Sequence, residues 1–213
     1  MNEITLNCQG LACPQPVIRC KDTISQSKPD SLNVQVDNEA AKENVTRFLT
    51  SQGYHIQEVR EKNDIFELIA AHADPDSSRA NKPEPEAQAH HFQGPESRGD
   101  DKLAHLVFIT SNVIGHGDDE LGQKLMLNFM ATLPEIGPSL WRILLLNSGV
   151  KLAVAGSPVL EHLQKLEQNG VSILVCGTCL DFFDLLDQKQ VGQTTNMLDV
   201  VTSLQLADKV IKV

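Results

Sequence analysis

Hydrophobic and polar residues alternate along the first third of the chain in a way that predicts a small α/β domain. Ile4, Leu6 and Cys8 alternate with polar residues, as in a strand with one buried face. Apolar residues at helical spacing follow Pro14, and Gly53 stands where a second helix would end. The predicted order is a strand at 4–8, a helix at 14–24, a strand at 32–36, a helix at 41–49, and strands at 54–60 and 65–71. This βαβαββ order predicts a two-layer sandwich with both helices on one face of the sheet.

The last half of the chain carries nearly continuous apolar runs, which are typical of strands buried on both faces. The predicted elements are strands at 103–110, 142–147, 171–175 and 209–213, helices at 118–132 and 158–168, a short helix after residue 176 and a further segment near 196–204. Strands that alternate with helices predict a doubly wound parallel sheet. Ligands of such sheets bind at the carboxyl ends of the strands, where a pair of cysteines falls in this sequence.

Residues 73–101 separate these two patterns. This stretch holds four of the ten prolines, and Phe92 is its only large apolar residue. It cannot bury enough surface to offset the entropy of ordering, so we expect a flexible linker. The predicted organisation is therefore a domain at 1–72, a linker at 73–101 and a domain at 102–213.

Composition narrows the function classes. A net charge of -10 and 4% aromatic residues argue against nucleic-acid binding, which needs a basic surface and commonly stacking side chains. We recognise no secretory signal and no apolar run long enough to span a membrane, so we expect a cytoplasmic protein without membrane contact. Thiols are mostly reduced in that compartment, and the five cysteines are therefore not expected to form a disulfide framework.

The first candidate site is Cys13-Pro14-Gln15-Pro16. Pro14 suits the first position of a helix, which would make Cys13 the N-cap residue. A thiol at a helix N-terminus is favoured as a thiolate, so Cys13 could hold a thiolate or a persulfide. The alternative is a bystander cysteine before an ordinary helix start. Cys8 and Cys20 lie on apolar faces and are predicted to be core residues.

The second candidate site is Cys176-Gly177-Thr178-Cys179, directly after a buried strand. A zinc site would need two further ligands, which the surrounding sequence does not offer at a usual spacing. A thioredoxin-type redox pair fits the strand-to-helix placement. A sulfur-relay thiol at the edge of the sheet fits it as well, and the residues alone leave these interpretations open. No metal or cofactor is expected.

The loop at 111–120 contains Gly115-His116-Gly117 after a strand, but three carboxylates follow where a pyrophosphate would lie. We therefore do not expect a nucleotide site, and we interpret the carboxylates as favourable charges at a helix start. His116 is expected to be a solvated loop residue, with a position facing Cys176 as the alternative.

The segment from Gly10 to Pro16 resembles the CPxP signature of the TusA/SirA-like sulfur carriers, and the resemblance covers residues 1–72. It implies that Cys13 accepts a persulfide sulfur and passes it on. Residues 103–213 resemble the DsrE-like sulfur-relay domains, with Cys176 at the position of the sulfur-accepting cysteine. That resemblance implies a homo-oligomer, with Cys179 as a resolving or second relay thiol.

Together the two domains resemble YedF-type proteins, which are described as sulfurtransferase-like and associated with selenium metabolism. The resemblance implies a sulfur or selenium donor, such as a cysteine desulfurase, and a downstream acceptor protein. Cys13 and Cys176 would then exchange a sulfane sulfur through a persulfide relay. Two other classes remain open: a thiol-disulfide oxidoreductase that uses Cys176 and Cys179, and a redox-sensing binding module.

Overall fold

The computed structural model describes residues 2–63, 65–72 and 103–213. The chain divides into two compact units, Met1–Gln93 and Gly94–Val213, and each is described by itself. The linker predicted at 73–101 lies outside the described residues and stays a prediction.

The first unit has the predicted βαβαββ order. Its elements are β1 (Glu3–Asn7), α1 (Gln15–Ser27), β2 (Ser31–Val36), α2 (Glu39–Ser51), β3 (Tyr54–Lys62) and β4 (Ile65–His72). The sheet order is β1-β2-β4-β3, in which β1 and β2 are parallel and the other neighbours antiparallel. The mixed α/β fold predicted for this half is confirmed.

The two faces of this sheet differ in polarity. One face of β2 is fully buried and consists of Leu32, Val34 and Val36. The apolar faces of α1 and α2 are buried as well. Asn33 lies on the other face, where its Nδ2 donates to Oε1 of Glu67 at 2.8 Å. The period-two pattern of β2 therefore separates an apolar core from a polar face.

The second unit is a five-stranded sheet in which every neighbouring pair is parallel. Its elements are β5 (His105–Ile109), α3 (Asp119–Thr132), β6 (Leu140–Leu145), α4 (Leu160–Gln168), β7 (Ser172–Cys176), α5 (Gly177–Phe182), β8 (Gln193–Thr195), α6 (Met197–Leu206) and β9 (Lys209–Lys212), with 3₁₀ helices at Leu133–Ser139, Asn147–Ala153 and Leu186–Gln188. The strand order is β8-β7-β6-β5-β9.

Helices cover both faces of this second sheet. Val107, Ile143 and Val175 belong to a core shared with α3, α4 and α5, whereas Leu106 and Leu144 pack in a separate core with α6. Burial of such a side chain contributes about 1.5–3 kcal/mol, so both layers stabilise the sheet. The predicted doubly wound parallel sheet is confirmed.

Most element boundaries lie within a few residues of the prediction, and two differences concern the region of the candidate site. β6 ends at Leu145 rather than at 147, because Asn147 has a left-handed φ of 49° that a strand does not tolerate. The segment near 196–204 is helix α6, and the fifth strand is the three-residue β8, which is too short and polar to show in a hydrophobic pattern. In the part of the chain described, no helix is both long and apolar enough to cross a bilayer.

Candidate functional site

Cys13 lies exposed in the loop that joins β1 to α1. Two contacts fix the path of this loop beside β2. The backbone N–H of Cys8 donates to the carbonyl of Gln35 at 2.8 Å, and the N–H of Gly10 donates to the carboxylate of Asp37. Gly10 has a φ of 70°, which glycine adopts without strain. The loop thus presents Cys13 to solvent from an anchored backbone.

The predicted N-cap role of Cys13 is wrong. Helix α1 begins at Gln15, its N-cap residue is Pro14, and Cys13 stands one residue earlier. The N–H of Gln15, which we expected to be unpaired, donates to the carbonyl of Ala12 at 2.9 Å. The peptide bond between Cys13 and Pro14 is cis. The predicted tolerance of Pro16 within the first turn is confirmed.

The other two cysteines of this unit are core residues, as predicted. Cys8 is 1% exposed and Cys20 is fully buried. Burial raises the pKa of both thiols, and burial together with the nearby Cys8 raises the pKa of Cys20 to about 12. These thiols stay protonated and shielded, so neither is a candidate nucleophile.

Cys176 and Cys179 lie at the carboxyl end of the parallel sheet, as predicted. Cys176 is the last residue of β7, where it pairs with Thr195 at the end of β8, and Cys179 lies one turn later in α5. Asn196 follows directly after β8 and caps α6 by accepting hydrogen bonds from the N–H groups of Leu198 and Asp199. The Cys176–Cys179 pair therefore lies at the carboxyl end of the sheet, beside a turn that the buried side chain of Asn196 stabilises.

The two thiols of the pair differ in exposure and in hydrogen bonding. Cys176 is only 6% exposed, whereas Cys179 is half-buried. The Cys176 thiol hydrogen-bonds to the Cys179 sulfur, and the backbone N–H of Asn147 donates to that sulfur at 3.1 Å. These two donors lower the pKa of Cys179 to about 6 against the opposing effect of burial. Both hydrogen bonds therefore favour the thiolate form of Cys179.

Asn147 contacts the thiol pair, and the sequence prediction missed it because Asn147 was assigned to the end of a strand. It opens the 3₁₀ helix after β6 in a left-handed conformation, which asparagine adopts more readily than most residues. The following glycine, Gly149, packs so closely on β5 that a Cβ atom there would meet the Ile109 carbonyl oxygen at 2.8 Å. The signal in the sequence was Asn-Ser-Gly after a buried strand, which is typical of a tight turn.

Comparison with known proteins agrees with both halves of this description. Residues 4–70 match the family model described as sulfurtransferase TusA, and residues 110–213 match the DsrE/DsrF-like family. Two relatives from Neisseria meningitidis, one from serogroup A and one from serogroup B, carry "sulfur carrier protein" in their names. Each is 30% identical to this chain over 73 residues, which are 34% of this chain and 99% of the relative. This chain belongs to the TusA family.

Two solved structures are similar to parts of this TusA-family chain. A SirA-like protein from Desulfitobacterium hafniense is 29% identical, with a TM-score of 0.30, over 33% of this chain and 97% of its own. The ychN protein from E. coli is 18% identical, with a TM-score of 0.42, over 52% of this chain and 100% of its own. We call residues 4–70 the TusA-like domain and residues 110–213 the DsrE-like domain.

The surface beside Cys179 in the DsrE-like domain is apolar. Phe182 is 81% exposed and packs edge-on against Phe183, with ring centroids 5.1 Å apart. The ammonium group of Lys151 lies 4.4 Å from the centroid of Phe183, and both residues line a shallow depression that continues along 154–158. An exposed aromatic side chain therefore lies three residues after Cys179.

The remaining residues discussed in the sequence analysis of this TusA-family protein lie in the loop after β5 and at the start of α3. His116 is exposed in the loop after β5. Asp118 caps α3 by accepting from the N–H of Leu121 at 2.8 Å, and Asp119 and Glu120 lie in the first turn, where their charges are favourable. Within residues 2–63, 65–72 and 103–213, no group of three or more His, Cys, Asp or Glu side chains could hold a metal ion.

Proposed function

We propose that this chain is a persulfide carrier in which Cys13 takes a sulfane sulfur from a donor protein and exchanges it with the Cys176–Cys179 pair. The observation that carries the proposal is an exposed Cys13 on an anchored loop within the segment that matches a sulfur carrier family. Cys8 and Cys20 are too well buried to receive sulfur from another protein.

Each transfer is a thiol exchange that balances without a redox partner. The thiolate of Cys13 attacks the outer sulfur of the donor's persulfide, a new S–S bond forms, and the donor's thiolate leaves. A thiolate of the DsrE-like domain then attacks the outer sulfur on Cys13 in the same way. We propose a cysteine desulfurase as the donor and a further thiol protein as the final acceptor.

Resemblance to YedF-type proteins extends the proposal to selenium as a second cargo, because a selenium atom is transferred by the same exchange. We propose that the protein acts in the reducing cytoplasm and as a homo-oligomer. Apolar side chains on the surfaces of α3 and α6 support the oligomer: Leu121, Leu125, Leu127, Met197 and Val201 are each exposed by more than a third. Leu121 and Leu125 lie one helical turn apart on α3, and Met197 and Val201 lie one turn apart on α6, so each helix offers its own exposed apolar pair.

A thiol-disulfide oxidoreductase is the second candidate function, and a redox-sensing module would use the same thiols. The hydrogen bond between Cys176 and Cys179 favours it, because the two sulfurs are close enough to interact directly. This candidate needs a reversible disulfide and makes no use of Cys13.

The test is peptide mass spectrometry after incubation with a cysteine desulfurase and cysteine. We expect one added sulfur on the Cys13 peptide, which is lost in Cys13→Ser and retained in the control Cys8→Ala, where a buried thiol is removed. An unmodified Cys13 in the folded wild-type chain would contradict the carrier proposal. A Cys176–Cys179 disulfide formed in the absence of added sulfur would favour the oxidoreductase.

A further inference from the structure

The Cys176–Cys179 pair has an asymmetry that a simple relay does not require. Cys179 is the more exposed of the two cysteines, and its sulfur accepts two hydrogen bonds, from Asn147 and from Cys176. Cys176 is almost fully buried, and its thiol points at its neighbour. An external persulfide can therefore reach Cys179, whereas Cys176 is placed to react with whatever Cys179 holds.

We propose that Cys179 accepts the sulfane sulfur and that Cys176 then expels it as hydrosulfide, so that the DsrE-like domain releases its cargo in reduced form. This inference deepens the proposed function and rests on it for the origin of the sulfur. It reverses the order suggested by the sequence resemblance, in which Cys176 is the acceptor.

The release step balances in atoms and electrons. The Cys176 sulfur attacks the inner sulfur of the Cys179 persulfide, a Cys176–Cys179 disulfide forms, and the bond to the outer sulfur breaks. The outer sulfur leaves as hydrosulfide and takes the proton of the Cys176 thiol. The sulfane sulfur is reduced while the two cysteines are oxidised to the disulfide.

A dithiol reductant from outside the chain then restores the two thiols by disulfide exchange. A selenium atom bound to Cys179 would leave as hydrogen selenide by the same step. The Asn147 N–H has a positioning role, because it donates to the Cys179 sulfur at 3.1 Å.

Two features of the structure favour internal release over onward transfer from Cys176. The attacking thiol is already in hydrogen-bond contact with the sulfur that it attacks, which makes the step intramolecular. Burial of Cys176 also excludes a protein acceptor from its sulfur. A sulfur atom placed on Cys176 would have to enter a site shared with packed core residues.

The test uses the full chain with Cys13→Ser, loaded under anaerobic conditions with one equivalent of glutathione persulfide. A sulfide-selective electrode follows hydrosulfide, and peptide mass spectrometry follows the persulfide and the disulfide. With both cysteines present we expect one hydrosulfide per Cys176–Cys179 disulfide. Because this variant lacks Cys13, a negative result would overturn release from Cys179. It would leave the proposed loading of Cys13 in the wild-type chain intact.

Variants assign the order of the two thiols. In Cys176→Ser and Cys176→Ala we expect a persulfide to accumulate on Cys179 and hydrosulfide release to slow by about tenfold or more, since the intramolecular attack is lost. In Cys179→Ser we expect no sulfur on Cys176. The proposal is overturned by a stable persulfide without disulfide when both thiols are present, or by sulfur that loads on Cys176 in Cys179→Ser.

Discussion

The two thiol sites of this chain differ in their surroundings. Among the described residues of the TusA-like domain, Cys13 is the one exposed thiol, and it lies on a loop anchored by the N–H groups of Cys8 and Gly10. Cys179 is half-buried, in contact with a second thiol and with the N–H of Asn147. A lone thiol can only hold a sulfur and hand it over, whereas a pair can also expel it. The neighbours of each cysteine, rather than the cysteine itself, set the chemistry that each domain can perform.

The largest expected effect is in native-state alkylation of the five cysteines. Cys13 and Cys179 should react with iodoacetamide readily, whereas Cys8 and Cys20 should react at least about a thousandfold more slowly, because they require opening of a core stabilised by about 5 kcal/mol or more. Peptide mass spectrometry over a time course measures this ratio. Rapid alkylation of Cys20 in the folded chain would contradict the assignment of this thiol to the core.

Next in size is the effect of Gly149→Ala on the loop that carries Asn147. The added Cβ would meet the Ile109 carbonyl oxygen at 2.8 Å, so the loop must shift away from β5. We expect a loss of about 1–3 kcal/mol in the free energy of unfolding and a weaker hydrogen bond to Cys179. Urea unfolding measures the first effect, and the pH dependence of Cys179 alkylation measures the second.

Gly117→Ala is the matched control for that substitution. A Cβ atom at Gly117 meets nothing within 4 Å, and its φ lies outside the left-handed region. The free energy of unfolding of the Gly117→Ala variant should differ from the wild-type value by less than about 0.5 kcal/mol. An equal loss in both variants would mean that the tight packing of Gly149 does not position the loop.

The smallest expected effect is a change in the pKa of Cys179 when its partner is altered. In the wild type, alkylation of Cys179 should fall as the pH drops through about 6, because its thiolate is protonated there. Cys176→Ala removes the hydrogen-bond donor and should raise this pKa. The thiolate fraction at pH 5 then falls, and alkylation there should slow by up to about tenfold.

Cys176→Ser separates the hydrogen bond from the chemistry of the pair. The serine hydroxyl can still donate to the Cys179 sulfur, so the pKa should stay close to the wild-type value although the resolving thiol is lost. Equal pKa values in the alanine and serine variants would show that the Cys176 hydrogen bond does not stabilise the thiolate.

The sequence predicted the elements whose signals are local and periodic. Alternation along β2 and the apolar runs of β5, β6 and β7 gave the right strands, because burial on one or both faces leaves a direct pattern in the side chains. The same argument placed Cys8 and Cys20 in the core. The position of Cys176 at the carboxyl end of the sheet followed from the apolar run of β7, which Cys176 ends.

The features that the sequence did not predict depend on backbone geometry and on contacts distant along the chain. Helix α1 begins at Gln15 rather than at Pro14, because Pro14 has a φ of -100° and a ψ of 20°, outside the helical range. No side-chain pattern reports such backbone angles. The hydrogen bond between Asn147 and Cys179 joins residues 32 positions apart. Which thiol of the pair is accessible is likewise decided by packing of the folded domain.

The most direct test of the central claim is the order in which sulfur arrives at the two sites. A chain carrying Cys176→Ser is incubated with a cysteine desulfurase and cysteine, and the persulfides on Cys13 and Cys179 are followed by time-resolved peptide mass spectrometry. Our account predicts that sulfur reaches Cys13 first and Cys179 later, and that Cys179 stays unloaded when Cys13→Ser is added. Equal loading of Cys179 with and without Cys13 would contradict exchange between the two sites.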